Sequence, residues 1–438
     1  MTFETLAGAS LAIRARVLTY HAHPMREGEG AHRFIEDGLV VVRDGVIERV
    51  GEASELLPTL DPALEVADHR PLLLMAGFID PHLHMPQTQV IGSYGTQLME
   101  WLARYTFPEE SRYGDPAVSD EAARFLLAEL LRNGTTTASA FCTSHPQSAE
   151  SLFREADRLG MRLVAGKVMM DRNAPPALLD TPERGFEESK ALIGRWHGRG
   201  RLAYAISPRF APTSSEAQLE AAGQLAADHP DLHIQTHLSE NHGEIAFVRE
   251  LFPWAEDYTA VYERYGLVRP RALFGHCIHL SERERASLAG QGASAIFCPT
   301  SNLFLGSGLF DRDAALAAGL RTGLATDIGG GTSYSLLATA AEAYKALALR
   351  DQKLTGHAAL YMITAGNAEA LGWGDRIGQV APGFEADLVL VDTGATPAMR
   401  RRMERAESLE EELFALVTMG DDRAVAATYL AGRLAHRR

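Results

Sequence analysis

Residues 72–84 read Leu72-Leu73-Leu74-Met75-Ala76-Gly77-Phe78-Ile79-Asp80-Pro81-His82-Leu83-His84, and the reading of the whole chain turns on them. The apolar run has the character of a buried strand covered on both faces. It ends in two histidines separated by one residue. On a strand, positions i and i+2 point to the same side, about 6.6 Å apart along the chain. Two imidazoles aimed into one space at a strand's end are half of a metal site. Taken alone, His-x-His is also a common accident beside a turn, so the rest of the chain decides between these readings.

Downstream, apolar β-branched runs alternate with Ala/Leu/Glu-rich segments of helical period. Strands are expected at Leu72–Ile79, Thr135–Phe141, Arg162–Met169, Leu202–Ile206, Leu232–Thr236, Ala272–Phe274, Ser294–Phe297 and Arg321–Ala325. Asp120–Asn133, Ser148–Leu159, Ser214–Asp228 and Ser281–Gln291 read as intervening helices. Eight strands alternating with helices predict an α/β fold, a (β/α)8 TIM barrel with its chemistry at the carboxyl ends of the strands. An open doubly wound sheet is the alternative, weakened because no strand is followed by Gly-x-Gly-x-x-Gly. Both ends of the chain are instead β-rich. Leu11–Thr19, Leu39–Arg43 and Val46–Val50 read as strands, the last two joined by the hairpin signal Asp44-Gly45. Ala386–Val391 and Ala424–Leu430 echo them. These predict one small β-sandwich domain built from both termini, residues 1–70 plus 380–438, beside a catalytic barrel over residues 71–379.

With 438 residues, 46% hydrophobic and 23% charged, the composition is that of a globular protein. A net charge of -15 argues against a nucleic-acid backbone as partner. The N-terminus lacks the pattern of a signal sequence, and no apolar run reaches membrane-spanning length. Cys142, Cys277 and Cys298 make an odd set without paired spacing, which fits reduced thiols in a cytoplasm.

Under the barrel reading, the residues that follow each strand should carry chemistry. They include His82 and His84 after the first strand, Arg209-Phe210 after the fourth, and His237 with Glu240 after the fifth. His276 follows the sixth, Cys298-Pro299-Thr300-Ser301-Asn302 the seventh, and Asp327 the eighth. Singly, each has an ordinary reading. His276 would be a half-buried hydrogen-bonding residue, Asp327 a helix cap, Glu240 a solvated first-turn residue and Arg209 a surface ion-pair partner. Jointly, His82, His84, His237 and Asp327 supply three nitrogens and one oxygen, a sensible shell for Zn²⁺ with one position open for water.

The pattern Gly-Phe-Ile-Asp-x-His-x-His, with later histidines at strands five and six and an aspartate at strand eight, resembles the amidohydrolase superfamily in its single-metal branch. Here Ala76-Gly77 stands where many members have Pro-Gly. The resemblance spans residues 11–432 and implies the two-ended β-sandwich as well. Finer motifs are similar to those of its guanine deaminases: His84-Met85-Pro86-Gln87, Ser207-Pro208-Arg209-Phe210, Thr236-His237-Leu238-Ser239-Glu240-Asn241, Cys298-Pro299-Thr300-Ser301-Asn302-Leu303 and Asp327-Ile328-Gly329-Gly330-Gly331.

The resemblance implies hydrolysis of guanine to xanthine and ammonia. It also implies one zinc per chain, because Pro208-Arg209 stands where two-metal relatives usually carry a bridging lysine; Lys167 lies in strand three and reads as structural. Iron fits the same shell. On this view Asp327 binds metal and takes the water's proton, His276 orients the water, and Glu240 protonates ring N3. Arg209 and Gln87 read the purine edge, Phe210 packs on its face, and His237 lies against the substrate. Adenine would leave the buried Arg209 cation unpaired. A homodimer is common among such proteins. Other single-metal hydrolases acting on cytosine, adenosine derivatives or triazines remain open, as does a non-catalytic barrel scaffold. Zinc deaminases of the Pro-Cys-x-x-Cys type are excluded because that motif does not occur.

Overall fold

The structure is a computed structural model in which residues 10–94 and 97–438 are described. The expectation of a start without a signal sequence falls partly on residues 1–9, outside the described residues. Four strands come first: β1 (Leu11–Tyr20), β2 (His32–Arg43), β3 (Val46–Glu52) and β4 (Val66–Ala76). Nine more alternate with helices: β5 (Phe78–His84), β6 (Thr135–Phe141), β7 (Arg162–Gly166), β8 (Val168–Met169), β9 (Leu202–Pro208), β10 (His233–Leu238), β11 (Ala272–His276), β12 (Ser294–Phe297) and β13 (Arg321–Leu324). Three more strands follow near the C-terminus: β14 (Leu388–Val391), β15 (Val425–Leu430) and β16 (Arg433–Arg437).

Both termini contribute to one sheet, in the order β16-β15-β14-β4-β1-β2-β3. Its β2–β3 hairpin turns at Asp44 (φ 50°) and Gly45 (φ 82°), the pair of left-handed residues that Asp-Gly predicts. The chain just ahead of β14 returns to the far strand, where Ile47 N donates to Phe384 O and Gly383 N donates to Ile47 O, both at 2.8 Å. The sheet thereby folds over its own core of Ile13, Val17, Val40, Leu74, Leu388 and Tyr429. Alternation along β4 supplies both faces: Leu74 and Ala76 enter that core, while Leu73 and Met75 pack with the barrel's helices.

The expected first barrel strand, Leu72–Ile79, is in fact two strands in two sheets. Up to Ala76 the chain pairs with β14; from Phe78 it pairs with β6. The exchange is made at Gly77, whose N–H donates to Asp387 O at 2.9 Å while Phe78 N–H donates to Gly134 O at 2.9 Å. A side chain cannot sit at that crossing, since a Cβ on Gly77 would stand 2.2 Å from Thr136 Oγ1. Both halves are extended and apolar, so the sequence shows no seam. The expected third strand likewise breaks at Lys167 into β7 and β8. The buried Lys167 ammonium pairs with Asp180, and Glu188 lies 3.4 Å away, which accounts for it structurally.

Parallel pairing runs β5-β6-β7-β9-β10-β11-β12-β13, the eight strands of a (β/α)8 barrel. Its seam, between β13 and β5, closes in two ways. On the carboxyl side, Asp327 N donates to His82 O at 3.0 Å and His84 N to Ile328 O at 2.8 Å. Asp80 adds a link there, accepting from Thr326 N at 3.2 Å. On the amino side the buried carboxamide of Asn367 stands in for a ladder, donating to Ile79 O (2.6 Å) and Leu324 O (2.7 Å) and accepting from Leu324 N (2.8 Å). The intervening helices include Pro116–Arg132, Pro146–Leu159, Glu216–Asp228 and Glu282–Gly290, close to expectation. Beyond β13 the helices Leu336–Ala348 and Gly356–Met362 pack against Leu409–Met419, an arrangement that the sequence reading did not contain.

Candidate active site

A cavity opens at the carboxyl ends of the barrel strands. His84, Gln87, Arg209, Phe210, His237, Glu240, His276 and Asp327 all line it. His82 lies buried beneath them, its ring 4.8 Å from that of His237. Leu98, Trp101, Leu102 and Leu305 add an apolar wall. Trp101 therefore serves both as wall and as core, anchored by Nε1 donating to Ser93 O at 3.2 Å. Polar groups converging beside an apolar wall suit a small planar ligand.

Local backbone geometry aims these side chains. His82 and His84 share one side of β5. Ser239, His276, Cys277 and Asp327, each at a strand's end, have φ between 51° and 70°. That left-handed conformation is costly for non-glycine residues and concentrates where a fold must turn a side chain sharply back. Gly329 lets the loop after Asp327 pass close to Gln87: a Cβ there would come 2.6 Å from Gln87 O.

The ligand-type atoms converge. His82 Nε2 lies 3.4 Å and His84 Nε2 3.3 Å from Asp327 Oδ1. His237 Nε2 lies 3.2 Å from His84 Nε2. Atoms bonded at 2.0–2.1 Å to a tetrahedral Zn²⁺ stand about 3.3 Å apart. His237 Nδ1 sits 2.7 Å from Arg209 O, so the proton resides there and the Nε2 lone pair faces the cluster. Two imidazole nitrogens this close are reconciled either by an N–H of His84 donating to His237 Nε2 or by a cation between them. His82 Nε2 and His84 Nδ1 are buried without a hydrogen-bond partner, and for His82 Nε2 a metal supplies one. Burial, followed by neighbouring positive groups, lowers His237 well below the ordinary histidine range; burial lowers His84 to about 4, so both stay neutral and ligating. Burial opposes ionisation of Asp327, yet contacts from His82 and His84 hold it well below the ordinary carboxylate range. These four residues therefore fit one divalent cation. Cys298 lies near His276 and Asp327, and burial pushes its thiol well above the ordinary range.

On the other side of the cluster, His276 Nε2 lies 3.3 Å from Glu240 Oε2 and 3.9 Å from Asp327 Oδ2. The Asn302 carboxamide sits 2.9 Å from His276 Nδ1. Burial lowers His276 to about 3, keeping it neutral. Burial, with Glu244 and Asp327 adding, raises Glu240 well above the ordinary carboxyl range. Ser307 donates to Glu240 Oε1 at 2.8 Å, which leaves Oε2 toward His276.

Several residues in this arrangement were missed from sequence. Glu244 takes the Glu240 N–H at 2.9 Å and the Asn241 N–H at 3.2 Å; the Asn241-x-x-Glu244 capping-box spacing was its available signal. Ser307 and Glu110 left no local signal. Glu110, fully buried, accepts from Arg209 Nη1 at 2.8 and 3.0 Å and from Gln87 Nε2 at 3.0 Å. Arg209 thus carries its own counter-ion, which corrects the expectation that a mismatched purine would leave its cation unpaired.

Comparison with known proteins agrees with this architecture. The amidohydrolase family model matches residues 73–435. The guanine deaminase of Escherichia coli strain K12 is 47% identical over 93% of both chains. The solved structure of E. coli guanine deaminase superposes with a TM-score of 0.96 at 46% identity, covering 98% of this chain and all of that one. A guanine deaminase from C. acetobutylicum, solved with guanine in its active site, gives 0.88 at 27% identity over 97% of this chain and all of its own. With a family model matching most of its length and relatives of this identity covered almost throughout, the chain belongs to the amidohydrolase family.

Proposed function

We propose that this protein hydrolyses guanine at C2, giving xanthine and ammonia. The observation that carries the reading is the pairing, across one small cavity, of a three-histidine, one-aspartate cluster with a wall of Gln87, Arg209 and Phe210. Full-length relatives bearing the guanine deaminase name support it.

His82, His84, His237 and Asp327 would hold one cation, with zinc the ion best suited to three imidazoles and a carboxylate. When bound, such an ion would lower the pKa of a water toward about 7 and so supply a nucleophile near neutrality. The remaining chemistry belongs to side chains. Asp327 accepts a proton from the attacking water. His276, between the carboxylates of Asp327 and Glu240, orients that water. Glu240, neutral in its buried setting, places its proton on ring N3 as the C2–O bond forms. The proton gathered by Asp327 then passes to the exocyclic amine, the C2–N bond breaks as the C2 hydroxyl gives its proton to Glu240 and becomes the carbonyl, and ammonia leaves. Phe210 packs against the purine face, while Gln87 and Arg209 fix its N1/O6 edge. This reading also carries a cytoplasmic homodimer; sedimentation of the purified protein checks the dimer, and cell fractionation the location. Among the described residues no helix is long and apolar enough to cross a membrane.

The test is ammonia release from a panel of guanine, adenine, cytosine, adenosine and a chlorinated triazine, with metal analysis on the same preparation. Xanthine formed from guanine at one metal per chain is expected. Higher kcat/KM for any other member of the panel sinks the assignment.

A further inference from the structure

Arg209 and Gln87 come from different strand ends, yet both are tied to Glu110, which lies within the helical run over residues 98–114. We infer that Glu110 is the positioning residue that sets purine specificity, by locking Gln87 as an acceptor and Arg209 as a donor toward the cavity. The inference rests on the guanine reading above and deepens it.

A carboxamide can exchange its oxygen and nitrogen by a half-turn with almost no change of shape, so an unrestrained glutamine recognises either a donor or an acceptor. An ionised carboxylate only accepts. Glu110, ion-paired with Arg209, therefore takes the Nε2 end of Gln87 and refuses the Oε1 end. That leaves Oε1 for the cavity. The same carboxylate holds Arg209 by Nη1 alone, so Nε and Nη2 stay outside the pairing. The Phe107 ring, 5.6 Å from the guanidinium carbon, steadies the fork from the side. Glu110 itself does not line the cavity, so it acts through its two partners.

An acceptor beside a donor matches N1–H beside O6, the edge of guanine. In 2,6-diaminopurine the same amine leaves from C2, but N1 is an acceptor and the C6 amine a donor. Each polar group of the wall then meets its like. Buried mismatches of this kind discriminate by ~10⁴ or more.

The experiment compares kcat/KM for guanine and 2,6-diaminopurine in wild type, in Glu110→Gln, and in the exchange pair Glu110→Gln with Gln87→Glu, alongside metal content and Tm. Wild type is expected to favour guanine by ~10⁴. Glu110→Gln frees Gln87 to turn, so the preference should fall about tenfold or more, chiefly through KM for guanine, at unchanged metal content. The exchange pair puts an obligate acceptor at position 87 and should restore the preference. An unchanged ratio in Glu110→Gln, with both substrates slowed alike, overturns the inference. So does an exchange pair that prefers guanine no more than the single variant. If Glu110→Gln does not fold, the exchange pair decides alone: a wild-type-like preference supports the role and a collapsed one refutes it. A wild type that deaminates neither purine refutes the guanine reading and this inference together.

Discussion

Replacing Asn367 with alanine should loosen the barrel at its seam. The Asn367 carboxamide makes three buried hydrogen bonds of 2.6–2.8 Å, to Ile79 O, Leu324 O and Leu324 N. Truncation leaves three backbone groups facing a void. Each buried group left unpaired costs about 1–3 kcal/mol, and a water entering the vacated space recovers part of that, so a loss of about 3–5 kcal/mol is expected. The consequence reaches the active site because His82 lies three residues beyond Ile79 and Asp327 three beyond Leu324. Three of the four proposed metal ligands, His82, His84 and Asp327, thus lie on or just beyond the strands that Asn367 joins. The assay is urea unfolding of the metal-loaded protein followed by tryptophan fluorescence, with metal retention after dialysis as a second readout. Asn367→Asp serves as the control: it fills the same space but presents oxygens to two carbonyls. If hydrogen bonding closes the seam, Asp is at least as damaging as Ala; if the effect is cavity volume, Asp is harmless. A loss below about 1 kcal/mol for Ala, with full metal retention, refutes the account.

Asp327→Asn keeps the shape of a ligand and removes its charge; metal affinity should fall at least ~10²-fold, measured by competition with a chelator, and unaltered affinity would take Asp327 out of the metal set. Burial, with Glu244 and Asp327 adding, raises Glu240 well above the ordinary carboxyl range, which favours its protonated form. Activity carried by that protonated form declines as pH rises through the raised value, while Glu240→Gln loses ~10²–10⁴-fold and should lack this alkaline limb; a variant that retains the limb reassigns the proton donor. Arg209→Ala should lose guanine turnover and also stability, by ~3–5 kcal/mol, because it leaves the Glu110 carboxylate buried without its cation; unchanged kcat/KM would remove Arg209 from recognition. Gly77→Ala should cost about 1–3 kcal/mol through its clash with Thr136, and Thr136→Ala in the same chain should recover part of it by removing the two closest atoms; no recovery would place the strain elsewhere.

Sequence alone determined the number and alternation of the barrel strands and most of the residues around the cavity. The reason is local: strand periodicity puts His82 and His84 on one side, and a parallel barrel collects the ends of all its strands at one mouth. The Asp44-Gly45 hairpin was legible on the same footing, since its left-handed dihedrals belong to those residue types. Only the tertiary structure decided the rest. Nothing in an unbroken apolar run marks Gly77 as the place where one sheet hands over to another, because the change lies in the partners, β14 and then β6, and not in the strand. Glu110 meets Gln87 and Arg209 across 23 and 99 residues of chain, and Ser307 meets Glu240 across 67. Asn367 closes a seam between strands it does not belong to. Such pairings have no period or spacing to betray them, because a side-chain hydrogen bond needs only proximity in space. The chain therefore announces which atoms can do chemistry, while the fold settles which neighbours hold those atoms in a single orientation.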